Sequence, residues 1–202
     1  MNNLDLIFEN NASIESYSIA YFKYLSSVIT KISEDEIAAF VQVLLSARKN
    51  GKTIYFIGNG GSAATASHFA NDISIGTRSW GKPFRVVSLC DNQAVITAIA
   101  NDYGYEFVFY QQLKVLLQEG DVVVAISASG NSPNLISAIE LAKKKDAVTV
   151  GLTSFDGGEL RKVTDISVHI PTEKGEYGPA EDGHMILDHL ISSYLMRFIK
   201  NV

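Results

Sequence analysis

Apolar residues recur every three or four positions between residues 13 and 30, which is the period of an amphipathic helix. The repeated positions are Ile14, Tyr17, Tyr21, Leu25 and Val28. Further apolar side chains lie beside this stripe, at Ile19, Phe22 and Ile29. The faces of this predicted helix are therefore more apolar than burial in one small core requires.

A second helix is marked at both ends by its sequence. Ser33 and Glu36 have the spacing of a capping box, in which each side chain accepts from the other residue's backbone N–H, and Asn50-Gly51 is a typical helix stop. The apolar stripe between these signals consists of Ile37, Phe40, Val41, Leu44 and Leu45. The sequence thus predicts a helical region over residues 1–50.

From residue 51 onward the pattern changes to short β-branched runs separated by helical segments. The five runs span residues 53–57, 85–89, 122–126, 147–152 and 166–170. Their apolar residues are continuous rather than alternating, as in parallel strands buried on both faces. Right-handed crossovers between such strands predict one α/β domain, residues 1–202, with a body over 51–202. Its five-stranded parallel sheet is flanked by helices in a flavodoxin-like or Rossmann-like three-layer sandwich.

Composition restricts the class of function without naming one. The 202-residue chain is 47% hydrophobic with a net charge of -5, and its mean hydropathy is +0.10. This composition excludes a disordered chain, and the lack of clustered Lys and Arg argues against nucleic-acid binding. We find no membrane-spanning run, no signal-peptide pattern and a single cysteine, Cys90. We therefore expect a cytoplasmic protein without disulfides or a membrane partner.

Two turns rich in glycine and serine each follow a predicted strand and open a helical pattern. They are Gly58-Asn59-Gly60-Gly61-Ser62 and Ser127-Ala128-Ser129-Gly130-Asn131-Ser132. Glycine lets the backbone approach a ligand, serine adds hydroxyl donors, and the following helix directs free N–H groups and its positive dipole end toward an anion. Both turns lie at the carboxyl ends of strands, where parallel sheets bind ligands. The pair predicts a phosphate site, with two simple capped turns as the alternative.

The first turn also fits the Gly-x-Gly-x-x-Ala fingerprint of dinucleotide-binding proteins, through Gly58, Gly60 and Ala63. That fingerprint requires an acidic residue about 20 positions further on, at the end of the second strand. The nearest such residue here is Asp91, which comes too late. A nicotinamide-dependent oxidoreductase would also leave the serines of the second turn without a role, so a single phosphate on a small sugar fits better.

Two groups of titratable side chains are candidates for chemistry. His68 and Asp72 are four residues apart and so share one face of the helix after the first turn. Pro179 is typical of a first helical position, and five candidates follow it: Glu181, Asp182, His184, Asp188 and His189. Acids in a first helical turn are also stabilised by the helix dipole without any function. His184 is expected behind the site or at an interface, and His169, within a predicted strand, is expected to be structural.

Three segments of the chain resemble the sugar isomerase (SIS) domain family. They are residues 58–70, 100–104 and 127–134, and with the helical N-terminus the resemblance covers nearly the whole chain. Within the family, the sequence is most similar to the phosphoheptose isomerases. This resemblance implies conversion of sedoheptulose 7-phosphate to a heptose 7-phosphate for lipopolysaccharide or capsule synthesis. It also implies a homotetramer in which the N-terminal helices pack between subunits.

The resemblance implies roles for individual residues as well. Sugar phosphate would bind to Asn59, Gly60, Ser62, Ser127, Ser129, Asn131 and Ser132. An aldose and a ketose interconvert through an enediol, so one group removes a proton from carbon while another handles the oxygens. Asp72 stands where the family has its base, and His189 where it has its acid. A zinc ion would bind to donors that suit it, on His68, Asp72, Glu181 and His189.

The chain departs from the family pattern near the sugar and the metal. Asp72 replaces a glutamate and is one methylene shorter, Glu181 replaces a glutamine, and Ala128 replaces a threonine of the second turn. Asp182 lies seven residues before His189, so it shares a helix face with that histidine and is an alternative ligand to Glu181. These changes leave the phosphate turns largely intact.

Two functions from different classes therefore remain open. An isomerase is favoured because a carboxylate and a histidine persist at both catalytic positions, Asp72 and His189. The rival is a non-catalytic SIS protein that senses a sugar phosphate or acts through protein contacts, as a replication-initiation regulator of the same subfamily does. That reading is favoured by the altered side chains at Asp72, Ala128 and Glu181.

Overall fold

A computed structural model describes residues 2–200 of the chain. Its five strands form one sheet, in which every neighbouring pair is parallel. The sheet has the order β2-β1-β3-β4-β5, with β1 at Thr53–Gly58, β2 at Arg85–Ser88, β3 at Val122–Ser127, β4 at Val148–Ser154 and β5 at Ile166–Ile170. This order is the flavodoxin-like one. The predicted parallel sheet is confirmed, and each predicted run overlaps an observed strand.

Nine α-helices surround the strands in the described part of the chain. They are α1 (Asn3–Asn10), α2 (Ile14–Ile29), α3 (Glu34–Asn50), α4 (Gly61–Asn71), α5 (Gln93–Tyr103), α6 (Val108–Leu116), α7 (Pro133–Lys144), α8 (Gly158–Val163) and α9 (Tyr177–Phe198). A π-helical segment, Asp72–Gly76, continues α4, and a 3₁₀ segment, Tyr105–Phe107, precedes α6. None of the helices in residues 2–200 has the length and apolarity needed to cross a membrane.

The sheet separates two hydrophobic cores because successive strand residues point to opposite faces. Along β3, Val122, Val124 and Ile126 pack into the core that α3, α4 and α9 cover. Val123 and Ala125 pack into the other, which α6, α7 and α8 cover. This is the physical reason that the strand sequences are continuously apolar. The two layers also place α4 and α7 on opposite faces of the sheet.

The N-terminal helices contribute few side chains to these cores. Val28 is the one buried residue of α2, and α1 has none. The buried Glu176 carboxylate, just before α9, instead accepts from the Asn3 backbone N–H at 2.7 Å and from the Tyr24 hydroxyl. A polar contact at one end of α9 therefore fixes how α1 and α2 lie against the body.

The helix boundaries differ in detail from those expected. Ser33 caps α3 by accepting from the Glu36 N–H, but the Glu36 carboxylate accepts from the His169 N–H of β5 at 2.9 Å. Half of the predicted capping box is thus replaced by a tertiary contact. The last helix begins at Tyr177, two residues before Pro179, because a proline is accommodated anywhere in a first helical turn.

The topology creates one crevice at the carboxyl edge of the sheet. Strands β1 and β3 are neighbours, while the helices that follow them, α4 and α7, lie on opposite faces. The connections therefore diverge above two adjacent strands. Such a switch point is where open α/β sheets bind ligands, and it is flanked by the two turns rich in glycine and serine.

Candidate active site

The turn after β1 brings the backbone close to itself at Gly58. A Cβ there would lie 2.5 Å from the Ser62 carbonyl oxygen, so the position excludes any side chain. Gly60 has φ +54°, which glycine adopts without the strain that other residues incur. No side chain caps the N-terminus of α4. The N–H groups of Gly61 and Ser62, with the positive end of the helix dipole, thus remain available to an anion, whereas the next two N–H groups already bond the Gly60 carbonyl.

The turn after β3 is fixed by contacts with its own backbone and with the start of α8. The Ser127 hydroxyl accepts from the Gly130 N–H at 3.0 Å. A Cβ at Gly130 would lie 2.0 Å from the Gly157 carbonyl oxygen, so the two segments approach through glycine alone. The Asn131 side chain bonds the Ser129 carbonyl at 2.9 Å and the Glu159 N–H at 3.0 Å. Both ends of its amide are therefore used within the protein.

The two turns enclose a single cavity of about 190 Å³. Of the residues predicted to bind sugar phosphate, it is lined by Asn59, Ser62, Ser127, Ser129 and Ser132. The remaining lining residues are Ile126, Ala128, Tyr177 and Glu181. Gly60 and Asn131 do not line it. The cavity therefore combines four serine hydroxyls with one carboxylate from α9.

The Asn59 side chain is held by a hydrogen-bond network that the sequence does not predict. Its amide exchanges two hydrogen bonds with the buried Asn134 of α7, at 2.8 and 3.0 Å. The Tyr105 hydroxyl donates to the same Asn59 oxygen at 2.9 Å. The network ties the first turn to α7 across the crevice. Asn134 fell within one of the segments that resemble the SIS family, but its pairing with Asn59 has no signature in sequence spacing.

A second group of side chains gathers where α4 and α9 run side by side. It comprises His68, Asp72, Asp188 and His189, whose donor atoms all lie within 4.8 Å of one another. The two histidine Nε2 atoms are 3.3 Å apart. From His68 Nε2, the Asp72 and Asp188 carboxylates are 3.5 and 3.9 Å away. We call this group the His/Asp cluster.

Asp188 is the unusual member of the His/Asp cluster. It is completely buried, and neither carboxylate oxygen has a hydrogen-bond partner within residues 2–200. Burial, with the nearby charge of Asp72, raises the pKa of its carboxyl group to about 7. Asp188 is one of the titratable residues of α9, but its position in the sequence indicates no role for it. Burial of that face of α9 depends on tertiary packing, which local spacing does not reveal.

The donors of the His/Asp cluster fit a divalent metal ion. Four ligands about 2.1 Å from a tetrahedral zinc ion are roughly 3.4 Å apart. The three separations from His68 run from 3.3 to 3.9 Å, and no pair in the cluster exceeds 4.8 Å. His68 and His189 are exposed, so the cluster is open on one side. Asp72 begins the π-helical segment, and such irregular turns are frequent at functional sites because they alter side-chain directions.

The other titratable candidates of α9 lie elsewhere. Glu181 is outside the His/Asp cluster, and its carboxylate packs against Gly61, where a Cβ would lie 2.2 Å from Oε2. Asp182 accepts from the Tyr21 hydroxyl of α2 at 2.7 Å. His184 is fully buried, 3.5 Å from the Ser154 hydroxyl of β4. His169 bonds the Thr153 hydroxyl at 3.1 Å, beside β4.

Residues 19–154 match the SIS domain family. This match covers more than half of the chain, so the protein belongs to that family, as its turns predicted. Relatives of known sequence point to one branch of it. The phosphoheptose isomerase of Geobacter metallireducens is 41% identical over 155 residues, which cover 77% of this chain and 81% of the relative. That of Geotalea uraniireducens is 35% identical over 190 residues, covering 94% and 97%.

Solved structures of the same branch share the fold. The phosphoheptose isomerase of Neisseria gonorrhoeae superposes with a TM-score of 0.81 at 30% identity, covering 91% of this chain and 98% of that one. The enzyme of Francisella tularensis gives a TM-score of 0.83 at 23% identity, covering 92% and 99%, which supports the fold alone. The chain is a phosphosugar isomerase of the SIS family.

His184 yields a testable prediction about stability. Burial lowers the pKa of its imidazole to about 4, whereas the unfolded chain binds the proton near pH 6.5. Between pH 4 and pH 6.5 the unfolded state therefore binds more protons than the folded state. The stability that comes from keeping His184 neutral is complete above pH 6.5 and is lost on acidification. At pH 4 the free energy of unfolding is lower by on the order of 3 kcal/mol. Urea unfolding of the wild type and His184→Gln is measured from pH 7.5 to pH 5. The free energy of unfolding should fall less steeply with pH in the variant. Parallel curves would contradict the prediction.

Proposed function

We propose that this protein interconverts sedoheptulose 7-phosphate and a heptose 7-phosphate, for synthesis of surface polysaccharide. The observation that carries the proposal is the single cavity that the two glycine- and serine-rich turns enclose. It lies at the β1/β3 switch point and is lined by α9, which also contributes two members of the His/Asp cluster. The names of the sequence relatives support this choice of substrate.

The phosphate group is proposed to bind at the serine-lined end of the site. Ser62, Ser127, Ser129 and Ser132 supply hydroxyl donors there, and the uncapped N-terminus of α4 supplies backbone N–H groups and a favourable dipole. Gly60 and Asn131 act on the ligand through the backbone of their turns in this proposal. The Asn59 oxygen already accepts from Asn134 and Tyr105, so the remaining N–H of its amide would donate to the sugar.

Proton transfer is proposed to use Asp72 as base and His189 as acid. Both belong to the His/Asp cluster, within 4.8 Å of each other, so they could serve adjacent atoms of one substrate. We propose further that His68, Asp72 and His189 hold a zinc ion. When bound, zinc would polarise the sugar carbonyl oxygen as a Lewis acid. Glu181 as a fourth ligand stays a prediction of the sequence.

Proton exchange at carbon tests the isomerase directly. The purified protein is incubated in deuterated water with sedoheptulose 7-phosphate and a panel of other ketose and aldose phosphates, and NMR follows product and loss of the carbon-bound proton. We expect exchange with the heptose phosphate and its loss after metal removal by a chelator, with recovery on adding zinc. Phosphate esters that raise the melting temperature without any exchange would contradict the isomerase.

Ser132 offers a clean test of the phosphate site. Its side chain makes no capping bond although it precedes α7, so Ser132→Ala removes a cavity hydroxyl without removing a bond that the fold uses. A hydrogen bond to a charged group contributes about 1.5–3 kcal/mol, so KM for the sugar phosphate should rise roughly tenfold or more. The melting temperature should be unchanged, as for the control Ser46→Ala, which alters an exposed serine of α3 far from the cavity. An unchanged KM would remove Ser132 from the phosphate site.

A non-catalytic sugar-phosphate sensor remains the second candidate. One observation favours it: Glu181 lines the same cavity as the serines and lies outside the His/Asp cluster, so the position that the family resemblance assigns to a metal ligand does not supply one. Ala128, which also lines the cavity, supplies no hydroxyl. The exchange experiment separates this candidate from the isomerase, because a sensor binds without moving a proton.

A homotetramer is also part of the proposal. It is supported by large apolar side chains on α2 that the single chain leaves uncovered, with Ile14 70%, Ile19 72% and Phe22 67% exposed. Burying such a patch between subunits is the usual reason for its existence. Light scattering on the purified chain should give four times the chain mass; a monomer mass would contradict the assembly. Location in the cytoplasm stays a prediction.

A further inference from the structure

We propose that Asp188 is the fourth ligand of the metal ion, and that Glu181 instead contacts the substrate. This inference rests on the metal site proposed above. It reverses the roles that the sequence positions suggest, because Glu181 stands where the family resemblance places a ligand and Asp188 was given no role. Three observations carry it: the register of two helices, the state of the Asp188 carboxylate and the charge of the donor set.

The register between α4 and α9 places the two carboxylates at different points of the site. Glu181 packs against Gly61, at the first turn of α4. Asp188 approaches His68, at 3.9 Å. His68 lies seven residues after Gly61 on α4, and Asp188 lies seven residues after Glu181 on α9. Seven residues span roughly 10 Å along a helix. The helices therefore run side by side in the same direction, with Glu181 at the phosphate end and Asp188 at the histidines.

The surroundings of the two carboxylates call for different partners. Asp188 is completely buried, and neither oxygen has a partner within residues 2–200. A buried carboxylate without compensation is costly, and a bound cation is one of the few groups that offsets the cost. Glu181 is half-buried and lines a cavity of hydroxyl groups. Its oxygens are placed to accept from sugar hydroxyls rather than to meet a cation held by His68.

The charge of the donor set also agrees with this division. Two histidines, Asp72 and Asp188 supply two negative charges, which balance a divalent cation. A further carboxylate ligand would leave the centre negative beside a phosphate substrate. Zinc sites accept a mixture of imidazole and carboxylate donors in four-coordinate geometry, so the His/Asp cluster needs no contribution from Glu181.

Metal binding without substrate tests the inference. Zinc affinity of the metal-stripped wild type, Asp188→Asn and Glu181→Gln is measured by competition with a chromophoric chelator. Asp188→Asn should lose on the order of 100-fold or more in affinity, the upper range for disrupting a metal-site residue. Glu181→Gln should stay within about threefold of the wild type, and its KM for the sugar phosphate should change. The matched control is Asp182→Asn, which alters another carboxylate of α9. That carboxylate accepts from Tyr21 of α2, so the variant should bind zinc normally.

Melting temperature gives a second readout that also reports folding. Zinc should raise the melting temperature of the wild type and of Glu181→Gln, but not that of Asp188→Asn. Asp188→Asn should still fold, because it removes an uncompensated charge and keeps the side-chain shape. Normal zinc binding by Asp188→Asn, or its loss in Glu181→Gln, overturns the inference while the proposed metal site stands. A wild type that binds no zinc overturns both.

Discussion

The site depends on the divergence of two chain connections above adjacent strands. β1 and β3 are hydrogen-bonded neighbours, yet α4 leaves the first toward one core and α7 leaves the second toward the other. Neither helix can cover the strand ends without losing its packing against its own core. The apolar residues that fix the layers thus also fix the crevice, and the polar residues of the turns need only line it. Asn59 and Asn134 then join the two sides by a pair of reciprocal amide bonds.

A single long helix connects the two ends of the site. α9 lines the serine-lined cavity near its start, through Tyr177 and Glu181, and enters the His/Asp cluster two turns later. Its buried residues lie against the sheet, so its rotation is set by the core rather than by the polar groups it carries. The buried Glu176 contact with Tyr24 links the same helix to the N-terminal region. The spacing between the cavity and the His/Asp cluster is therefore set by one helix.

Much of the architecture was predictable because its causes are local. Continuous apolar runs predicted the strands, and the glycine- and serine-rich turns predicted a pocket between them, which the structure contains. The roles of Asp188 and Glu36 were not predictable in this way. Which face of α9 becomes buried is decided by packing against α4 and the sheet, and Glu36 satisfies a strand N–H of β5 that is remote in sequence. Contacts between side chains in different layers of the fold cannot be predicted from the spacing of residues in the sequence.

The close backbone contact between the second turn and the segment before α8 has an evolutionary consequence. Gly130 and Gly157 approach so closely that neither segment can change its path alone, and the amide of Asn131 adds a further tie to α8. The backbone path of the second turn is thus coupled to that of the segment between β4 and α8. The exposed His68 and His189 take no part in this backbone contact. A change of path in one of these segments therefore requires a matching change in the other, so the two segments must evolve together.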